Sequence, residues 1–190
     1  MPVIYSIGHS NVAAEDFFAL LASAGVRTLA DVRAFPASRR HPHFGREALA
    51  QAAAERALAY HWMPALGGRR HHAAERSPHV AWEVQAFRNY ADYADTAEFA
   101  AALAELERQA REAPTAFMCA EALWWQCHRR LIADHLVLDG WEVRHIAAGG
   151  RLTPHRLPDF ARVVGGRLVY DRGATPELPM AEAPARPRRP

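Results

Sequence analysis

The sequence predicts one α/β domain: a mostly parallel, open sheet of about five strands, with helices on both faces and a C-terminal β-hairpin. Short apolar runs alternate with stretches of helical periodicity along most of the chain, which is typical of βαβ units. The length of 190 residues, of which 50% are hydrophobic, suits a single domain with a sizeable core. We place this domain at residues 1–172 and interpret the proline- and arginine-rich segment 173–190 as a disordered tail.

Five short apolar runs are the candidate strands. Each is bounded by glycine, proline or charged and polar residues, which is how strands end in sequences of this class. The predicted strands are Val3–Ile7, Thr28–Val32, Leu58–Met63, Thr115–Met118 and Trp141–Ile146.

Helical periodicity fills the segments between these strands. Gly25 and Gly140 follow two of the helices directly, as C-cap glycines do, and Asp95 with Glu98 resembles a capping box. Near the C-terminus, Gly165-Gly166 lies at the centre of an apolar segment and predicts the turn of a β-hairpin. The predicted helices are Glu15–Ala24, Arg46–Arg56, Trp82–Tyr93, the segment between Asp95 and Pro114, and Gln126–Asp139.

The composition excludes several classes of function. All 23 basic residues are arginine, so Schiff-base chemistry, a lysine base and a Walker lysine are excluded. The formal net charge of +2 is too small to argue for nucleic acid by itself. Two cysteines do not make a disulfide-rich secreted scaffold. With neither a signal-peptide pattern nor a long apolar run, we expect a cytoplasmic protein with reduced thiols and no membrane association.

Polar residues follow each predicted strand. Because the carboxyl ends of parallel strands share one edge of the sheet, these residues are expected to gather in one pocket there. They are His9 and Ser10 after the first strand, Asp31 and Arg33 after the second, Gly67, Gly68 and Arg69 after the third, Cys119 and Glu121 after the fourth, and His145 in the fifth.

The segment from Cys119 to Arg130 carries the most chemistry, because it holds both cysteines together with Glu121, His128 and Arg129. A thiol near a helix N-terminus and close to arginine is favoured as a thiolate. Cys119 is therefore the candidate nucleophile, with Glu121 and His9 or His128 as proton carriers. An alternative is a metal site, for which the candidate ligands are Cys119, Glu121, Cys127 and His128.

Arginine and glycine residues predict binding of an anionic ligand, most simply a phosphate-bearing nucleotide or a nucleic-acid end. Two plainer interpretations stay open: Asp31 and Arg33 as an ordinary ion pair, and Ser10 or Asn11 as the cap of the first helix. A non-catalytic module that binds nucleic acid through basic loops also stays open. The candidate binding residues are Ser10, Asp31, Arg33, Arg39, Gly67, Gly68, Arg69 and Arg129, and the basic loops contain Arg39, Arg40, Arg69 and Arg70.

Five segments together resemble one known family. They are IGHSN at 7–11, DVRAFPASRR at 31–40, LGGRR at 66–70, FRNYADY at 87–93 and MCAEALWWQCHRRLIADHL at 118–136. The chain resembles the domain-of-unknown-function family 488 over roughly residues 3–170. The resemblance implies a bacterial or archaeal protein whose activity is not established, so no cofactor is implied. Asp31-Val32-Arg33 and the cysteine loop are also loosely similar to rhodanese-like and cysteine-phosphatase domains, at the level of fold and chemistry alone.

Overall fold

A computed structural model describes residues 1–37, 40–71 and 76–173. Within these residues, the strands of the main sheet lie in the order β3-β2-β4-β1-β5-β6, and a separate two-stranded sheet contains β7 and β8. The strands are β1 Val3–Gly8, β2 Thr28–Asp31, β3 Ala59–Trp62, β4 Thr115–Cys119, β5 Glu142–Ile146, β6 Leu152–Pro154, β7 Ala161–Val164 and β8 Arg167–Tyr170.

The main sheet is parallel from β3 to β5, and β6 alone runs antiparallel to its neighbour. The predicted α/β class, mostly parallel sheet and C-terminal hairpin are therefore confirmed. Strand β6 was not predicted, because a three-residue strand ending in Pro154 carries almost no periodicity. Strands β4 and β1 lie at the centre, so their carboxyl ends, Cys119 and Gly8, are adjacent in register.

Helices cover both faces of the sheet, as predicted. On β4, Ala116 and Met118 pack with the helices of one face, and Phe117 and Cys119 pack with those of the other, because side chains alternate along a strand. The first face carries α1 Ala14–Ser23 and α2 Arg46–Ala54, and the second carries α3 Gln85–Ala94, α4 Ala97–Glu112 and α5 Arg129–Leu138.

The ends of these elements follow local backbone chemistry. Gly25 and Gly140 have φ of 69° and 88°, the left-handed conformation that ends a helix. Helix α4 is capped by Thr96, whose Oγ1 accepts a hydrogen bond from the Phe99 N–H at 3.3 Å, so the predicted capping by Asp95 is wrong. The reason is a shift of one residue: Thr96 adopts the extended conformation of an N-cap.

Two further expectations concern the cap of the first helix and the C-terminal tail. Neither Ser10 nor Asn11 caps the first helix, because α1 begins at Ala14 and the N-cap position is the extended residue Ala13. The predicted tail, 173–190, lies outside the described residues except for Gly173. Within the described part of the chain, none of the helices has the length and apolarity needed to cross a membrane.

Candidate functional site

A cavity of about 380 Å³ opens beside the carboxyl ends of β2 and β4. The position agrees with the rule that open α/β sheets bind ligands outside the carboxyl ends of their strands. Its lining residues are Arg33, Ala34, Phe35, Gly68, Arg69, Val84, Ala86, Phe87, Cys119, Ala120, Glu121, Gln126, Cys127 and His128.

His128 presents a lone pair to both thiols of the chain. Its Nε2 lies 3.1 Å from the backbone oxygen of Val32, which can only accept, so Nε2 carries the proton and donates it. In the neutral ring, Nδ1 is then an acceptor. Nδ1 lies 3.5 Å from Cys127 Sγ and 3.9 Å from Cys119 Sγ. The backbone of β2 therefore fixes the tautomer that faces the cysteines.

The two cysteines are unequal, although both are free thiols that line the cavity. Burial opposes ionisation of Cys127, but a hydrogen bond from Cys119 and the neighbouring His128 and Arg129 bring its pKa well below the usual value. The hydrogen bond with Cys127 and burial raise the pKa of Cys119. Thus Cys127 ionises first, and the thiol of Cys119 stabilises the resulting charge.

Close backbone contacts explain the two glycines of the Leu66–Arg70 segment. A Cβ placed on Gly68 would lie 2.5 Å from His128 Nδ1, and one on Gly67 would lie 2.7 Å from the Ala34 side chain. Real Cβ atoms do not approach other heavy atoms so closely, so only glycine allows this backbone to pass against the imidazole. Gly68 and Arg69 line the cavity beside the His128 imidazole.

Asp31 and Arg33 form a buried, bidentate ion pair. Arg33 Nε and Nη2 donate to the two carboxylate oxygens of Asp31 at 2.8 and 2.6 Å, and Tyr60 Oη donates to the same carboxylate at 2.7 Å. Because residues i and i+2 share one side of an extended chain, this spacing brings the two side chains together. Burial opposes the charge of Arg33, but its bonds to Asp31 raise the pKa of the guanidinium. Arg33 is therefore permanently charged.

His9 accepts a hydrogen bond from the Arg33 guanidinium. Its Nε2 lies 3.3 Å from Arg33 Nη1, which can only donate, so the His9 Nδ1 carries the ring proton and donates to the Ser10 carbonyl at 2.8 Å. The ring stacks on Phe44 with centroids 4.1 Å apart. Burial lowers the pKa of His9 to about 4, so the imidazole is neutral near pH 7.

Arg129 lies behind the loop that carries the cysteines and does not line the cavity. This buried guanidinium donates from Nη1 to Ser6 Oγ at 3.1 Å and from Nη2 to the backbone oxygen of Glu121 at 2.5 Å. Among the described residues it forms no ion pair with a carboxylate, and its Nε has no acceptor. A Cβ on Gly8 would lie 2.8 Å from Nη2, so a glycine is required where β1 passes it. Arg129 fixes the loop and places positive charge near the thiols.

Arg69, Phe35 and Glu121 are exposed parts of the cavity lining. The Arg69 guanidinium lies 5.7 Å from the ring centroid of Phe35, whose side chain is 70% exposed. The Glu121 side chain is exposed too, while its backbone oxygen is held by Arg129. A guanidinium beside an accessible aromatic ring can bind an anion and a flat apolar group at once.

The structure brings together part of the predicted site. Arg33, Gly68, Arg69, Cys119, Glu121 and His128 line the cavity. Asp31 and His9 do not line the cavity but form hydrogen bonds with Arg33, which does. Gly67 packs on Ala34. Ser10 has a φ of 46° and donates its N–H to the backbone oxygen of Ala120 at 2.8 Å. Arg39 lies outside the described residues. Sequence reasoning missed the apolar wall of Val84 and Ala86 and the polar Gln126, which carry no distinguishing pattern.

Three of the four proposed metal ligands are close together. The donor atoms of Cys119, Cys127 and His128 all lie within 4.8 Å of one another. The Glu121 carboxylate is not part of this cluster. Tetrahedral zinc with ordinary Zn–S and Zn–N lengths would separate such donors by about 3.5 to 3.8 Å. The distances from His128 Nδ1 to the two sulfurs, 3.5 and 3.9 Å, are close to these values.

A second buried polar cluster lies behind the loop. Asp134 accepts hydrogen bonds from Tyr170 Oη at 2.9 Å and from His155 Nε2 at 2.7 Å. His155 Nδ1 is thus an acceptor for His145 Nε2, 2.9 Å away. Trp124 stacks on His145 with ring planes 3° apart. This chain of buried side chains supports the loop between β4 and α5, and His145 does not line the cavity.

The family assignment follows from comparison with known proteins. A family model described as "Domain of unknown function DUF488" matches residues 13–136. The chain belongs to this family. The match contains every residue that lines the cavity, whereas Ser6, His9 and the Asp134 partners His155 and Tyr170 fall outside it. Comparisons with curated proteins and with solved structures give no match for this DUF488 protein.

Proposed function

We propose that this DUF488 protein binds a small phosphate-bearing ligand, a nucleotide or a nucleic-acid end, and performs thiol-based hydrolysis or group transfer on it. The observation that carries the proposal is the orientation of His128, whose Nδ1 faces both thiols because Val32 holds Nε2. A nucleophile, a base within reach and a group that orients the base are the parts of a cysteine-dependent active site.

Cys127 is the better candidate for the nucleophile, in place of Cys119. Cys127 Sγ attacks the electrophilic centre of the ligand and forms a covalent bond to it, while the bond to the leaving group breaks. Cys119, still protonated, supplies a proton to the leaving group. Water then attacks the covalent intermediate, with His128 Nδ1 accepting its proton, and Cys127 departs as thiolate. His128 finally passes this proton to Cys119 Sγ, 3.9 Å from Nδ1, which restores the starting state. The lowered pKa of Cys127 supports its role as nucleophile, and the raised pKa of Cys119 means that this thiol keeps its proton until the leaving group needs it.

Positive groups on two sides of the cavity support an anionic ligand. Arg69 is exposed, and its charge is available. Arg33 is paired with Asp31, but Nη1 and Nη2 each carry a second N–H beyond those used by His9 and Asp31. The N-terminus of α5, which begins at Arg129, adds the positive end of a helix dipole. Phe35 and Phe87 offer apolar surface for a base or another flat group.

The test compares two alkylating reagents that differ in charge. Iodoacetate is anionic and iodoacetamide is neutral, and both react with the thiolate. We expect Cys127 to react at pH 7 at least about tenfold faster than a free thiol, and the ratio of iodoacetate to iodoacetamide rates to fall severalfold in Arg69→Gln. Arg108→Gln, on the exposed surface of α4, is the matched control. Equal rates for Cys127 and a free thiol would contradict the proposal, as would a ratio insensitive to Arg69.

A second candidate is a metal-dependent activity, which the close match of sulfur and nitrogen distances to tetrahedral zinc favours. Cys119, Cys127 and His128 would be the protein ligands, and the fourth position would face the cavity. The bond from His128 Nε2–H to Val32 is the kind of support that metal-bound histidines have.

Metal binding is tested by elemental analysis and by a zinc titration of the purified protein. The metal hypothesis expects about one equivalent of zinc, protection of both thiols from alkylation, and loss of both effects in Cys127→Ser. Glu121→Gln is the matched control and should bind zinc as the unchanged protein does, since its carboxylate lies outside the cluster. Thiols that alkylate at the same rate with and without zinc would exclude this candidate.

A further inference from the structure

The two thiols differ in setting but share one base and one cavity. Cys119 ends β4, and Cys127 lies two residues before Arg129, where α5 begins. Their sulfur atoms lie within 4.8 Å of each other. Both face His128 Nδ1, at 3.9 and 3.5 Å. To form a disulfide, the two sulfur atoms must approach from within 4.8 Å to about 2.05 Å.

We propose that Cys119 and Cys127 form a reversible intramolecular disulfide when the site meets a hydroperoxide. This oxidation site uses the same thiols as the proposed function but requires no ligand in the cavity. The protein thereby responds to peroxide, because the disulfide removes both the nucleophilic thiol and the two sulfur ligands of the candidate metal site.

The chemistry takes two balanced steps. In the first, Cys127 gives its proton to His128 Nδ1, 3.5 Å away, and the thiolate attacks the terminal oxygen of the peroxide. The O–O bond breaks, and the departing alkoxide or hydroxide takes that proton and leaves as alcohol or water, giving Cys127 sulfenic acid. In the second, Cys119 Sγ attacks the Cys127 sulfur, and the S–O bond breaks. His128 Nδ1 takes the proton of Cys119 and gives it to the departing hydroxide, which leaves as water. A small dithiol restores both thiols and is itself oxidised to its disulfide.

The surroundings of the pair support this path. Both thiols line a cavity that small oxidants can enter. His128 is held by Val32 so that its lone pair faces the sulfurs, and Gly68 leaves space beside Nδ1 that a side chain would fill. Both sulfurs belong to one packed cluster with Tyr90 and Phe117, so the pair is shielded from the thiols of other chains. An internal disulfide is therefore favoured over a link between molecules.

The experiment oxidises the full chain with a few equivalents of hydrogen peroxide, then alkylates the remaining thiols and digests with trypsin. No arginine lies between the two cysteines, so both fall in the single peptide Glu112–Arg129. We expect this peptide to be lighter by two hydrogen atoms and unalkylated, and to regain two alkylatable thiols after treatment with dithiothreitol. Cys119→Ser should instead accumulate a sulfenic acid on Cys127, trapped by dimedone, and Cys127→Ser should react at least about tenfold more slowly with peroxide.

Two results would overturn the inference. One is a dimedone adduct on Cys127 in the unchanged protein with Cys119 still open to alkylation. The other is a disulfide between two chains, seen as a dimer on a non-reducing gel. The outcome is separate from that of the proposed function: rapid alkylation of Cys127 without disulfide formation rejects the oxidation site alone. A disulfide formed by a slowly alkylating Cys127 rejects the nucleophile alone.

Discussion

His128 shows how one backbone contact can decide the chemistry of a site. Imidazole has two nitrogen atoms, and the hydrogen-bond partner of one determines whether the other donates or accepts. The carbonyl of Val32 accepts from Nε2 at 3.1 Å, so Nδ1 is the basic atom. Without that carbonyl, the ring could present an N–H to the sulfurs, which would stabilise a thiolate but could not accept the proton of a thiol.

Replacing His128 should lower the rate at which the Cys127 thiol reacts. We expect His128→Gln to reduce the alkylation rate of Cys127 at pH 7 by about tenfold or more, because Cys127 loses the imidazole that accepts its proton and a smaller fraction is thiolate. Stopped-flow or mass-spectrometric alkylation measures the rate. His61→Gln, at an exposed position of β3, is the control and should change nothing. An unchanged rate in His128→Gln would show that the base is not coupled to the nucleophile.

Gly68 provides a second test at the same atom. In Gly68→Ala the new methyl group would meet His128 Nδ1 at 2.5 Å, so the imidazole or the backbone at residue 68 must shift, which changes the alignment of Nδ1 with the thiols. We expect thiol reactivity to fall as it does in His128→Gln, while circular dichroism stays unchanged. Gly45→Ala is the control, because its methyl group would meet only Pro42, at 3.0 Å and away from the cavity.

At the scale of elements, β4 connects the core to the site. Phe117 is fully buried between central strands and the helices of one face, and the chain reaches the cavity at Cys119, two residues later. The strand is buried along its whole length. The position of the thiol therefore depends on packing beneath it.

Truncation within β4 should accordingly be costly. Phe117→Ala is expected to reduce the free energy of unfolding by about 3 to 5 kcal/mol, since it leaves a cavity in the core. Urea denaturation measures the change. Phe35→Ala removes the same ring from a side chain that is 70% exposed and should leave stability within about 0.5 kcal/mol. Similar losses in both variants would contradict the packing described for β4.

The loop between β4 and α5, and α5 itself, show which parts of the site could be predicted from the sequence. Parallel strands were predicted correctly, so Arg33, Cys119 and His128 were expected at one edge and do line one cavity. The separate roles of His128 and Arg129 were not predictable. Consecutive helical residues point about 100° apart, and the direction of each depends on where the helix begins. Helix α5 begins at Arg129 and not at Gln126, which turns the guanidinium toward Ser6 and away from the cavity.

The predicted role of Glu121 has a similar limit. A carboxylate next to a buried strand suggests a partner for arginine, and Arg129 does contact this residue. The contact is to the backbone oxygen, however, and the carboxylate is exposed. Sequence patterns describe side chains, whereas this interaction depends on the path of the main chain through the loop.

At the scale of the whole molecule, buried neutral histidines make stability depend on pH. Burial lowers the pKa of both His9 and His135 from 6.5 to about 4. The unfolded chain therefore binds more protons than the folded one between these values, and stability falls as the pH decreases through this window. Each residue contributes a loss of roughly 3 kcal/mol by pH 4.

Urea denaturation at pH 7 and at pH 4.5 tests this dependence. We expect the unfolding free energy to be clearly lower at pH 4.5, and His135→Leu to make the difference smaller by the share of one histidine. His135 packs edge-on against Phe99 and lies outside the cavity lining, so leucine can occupy the site. His61→Gln should keep the full difference. The same difference in His135→Leu as in the unchanged protein would contradict a neutral, partly buried His135.

Strand β6 has a consequence for how the molecule behaves at high concentration. It pairs with β5 through its odd-numbered residues, as the bonds from Ala147 to Arg151 and from His155 to Val143 show. Its even-numbered residues therefore direct their backbone groups outward, and one of them, Pro154, has no N–H to offer. A further strand that tried to extend the sheet at this edge would miss a hydrogen bond in the middle of a very short template. The edge is thereby protected against the edge-to-edge pairing from which aggregates grow.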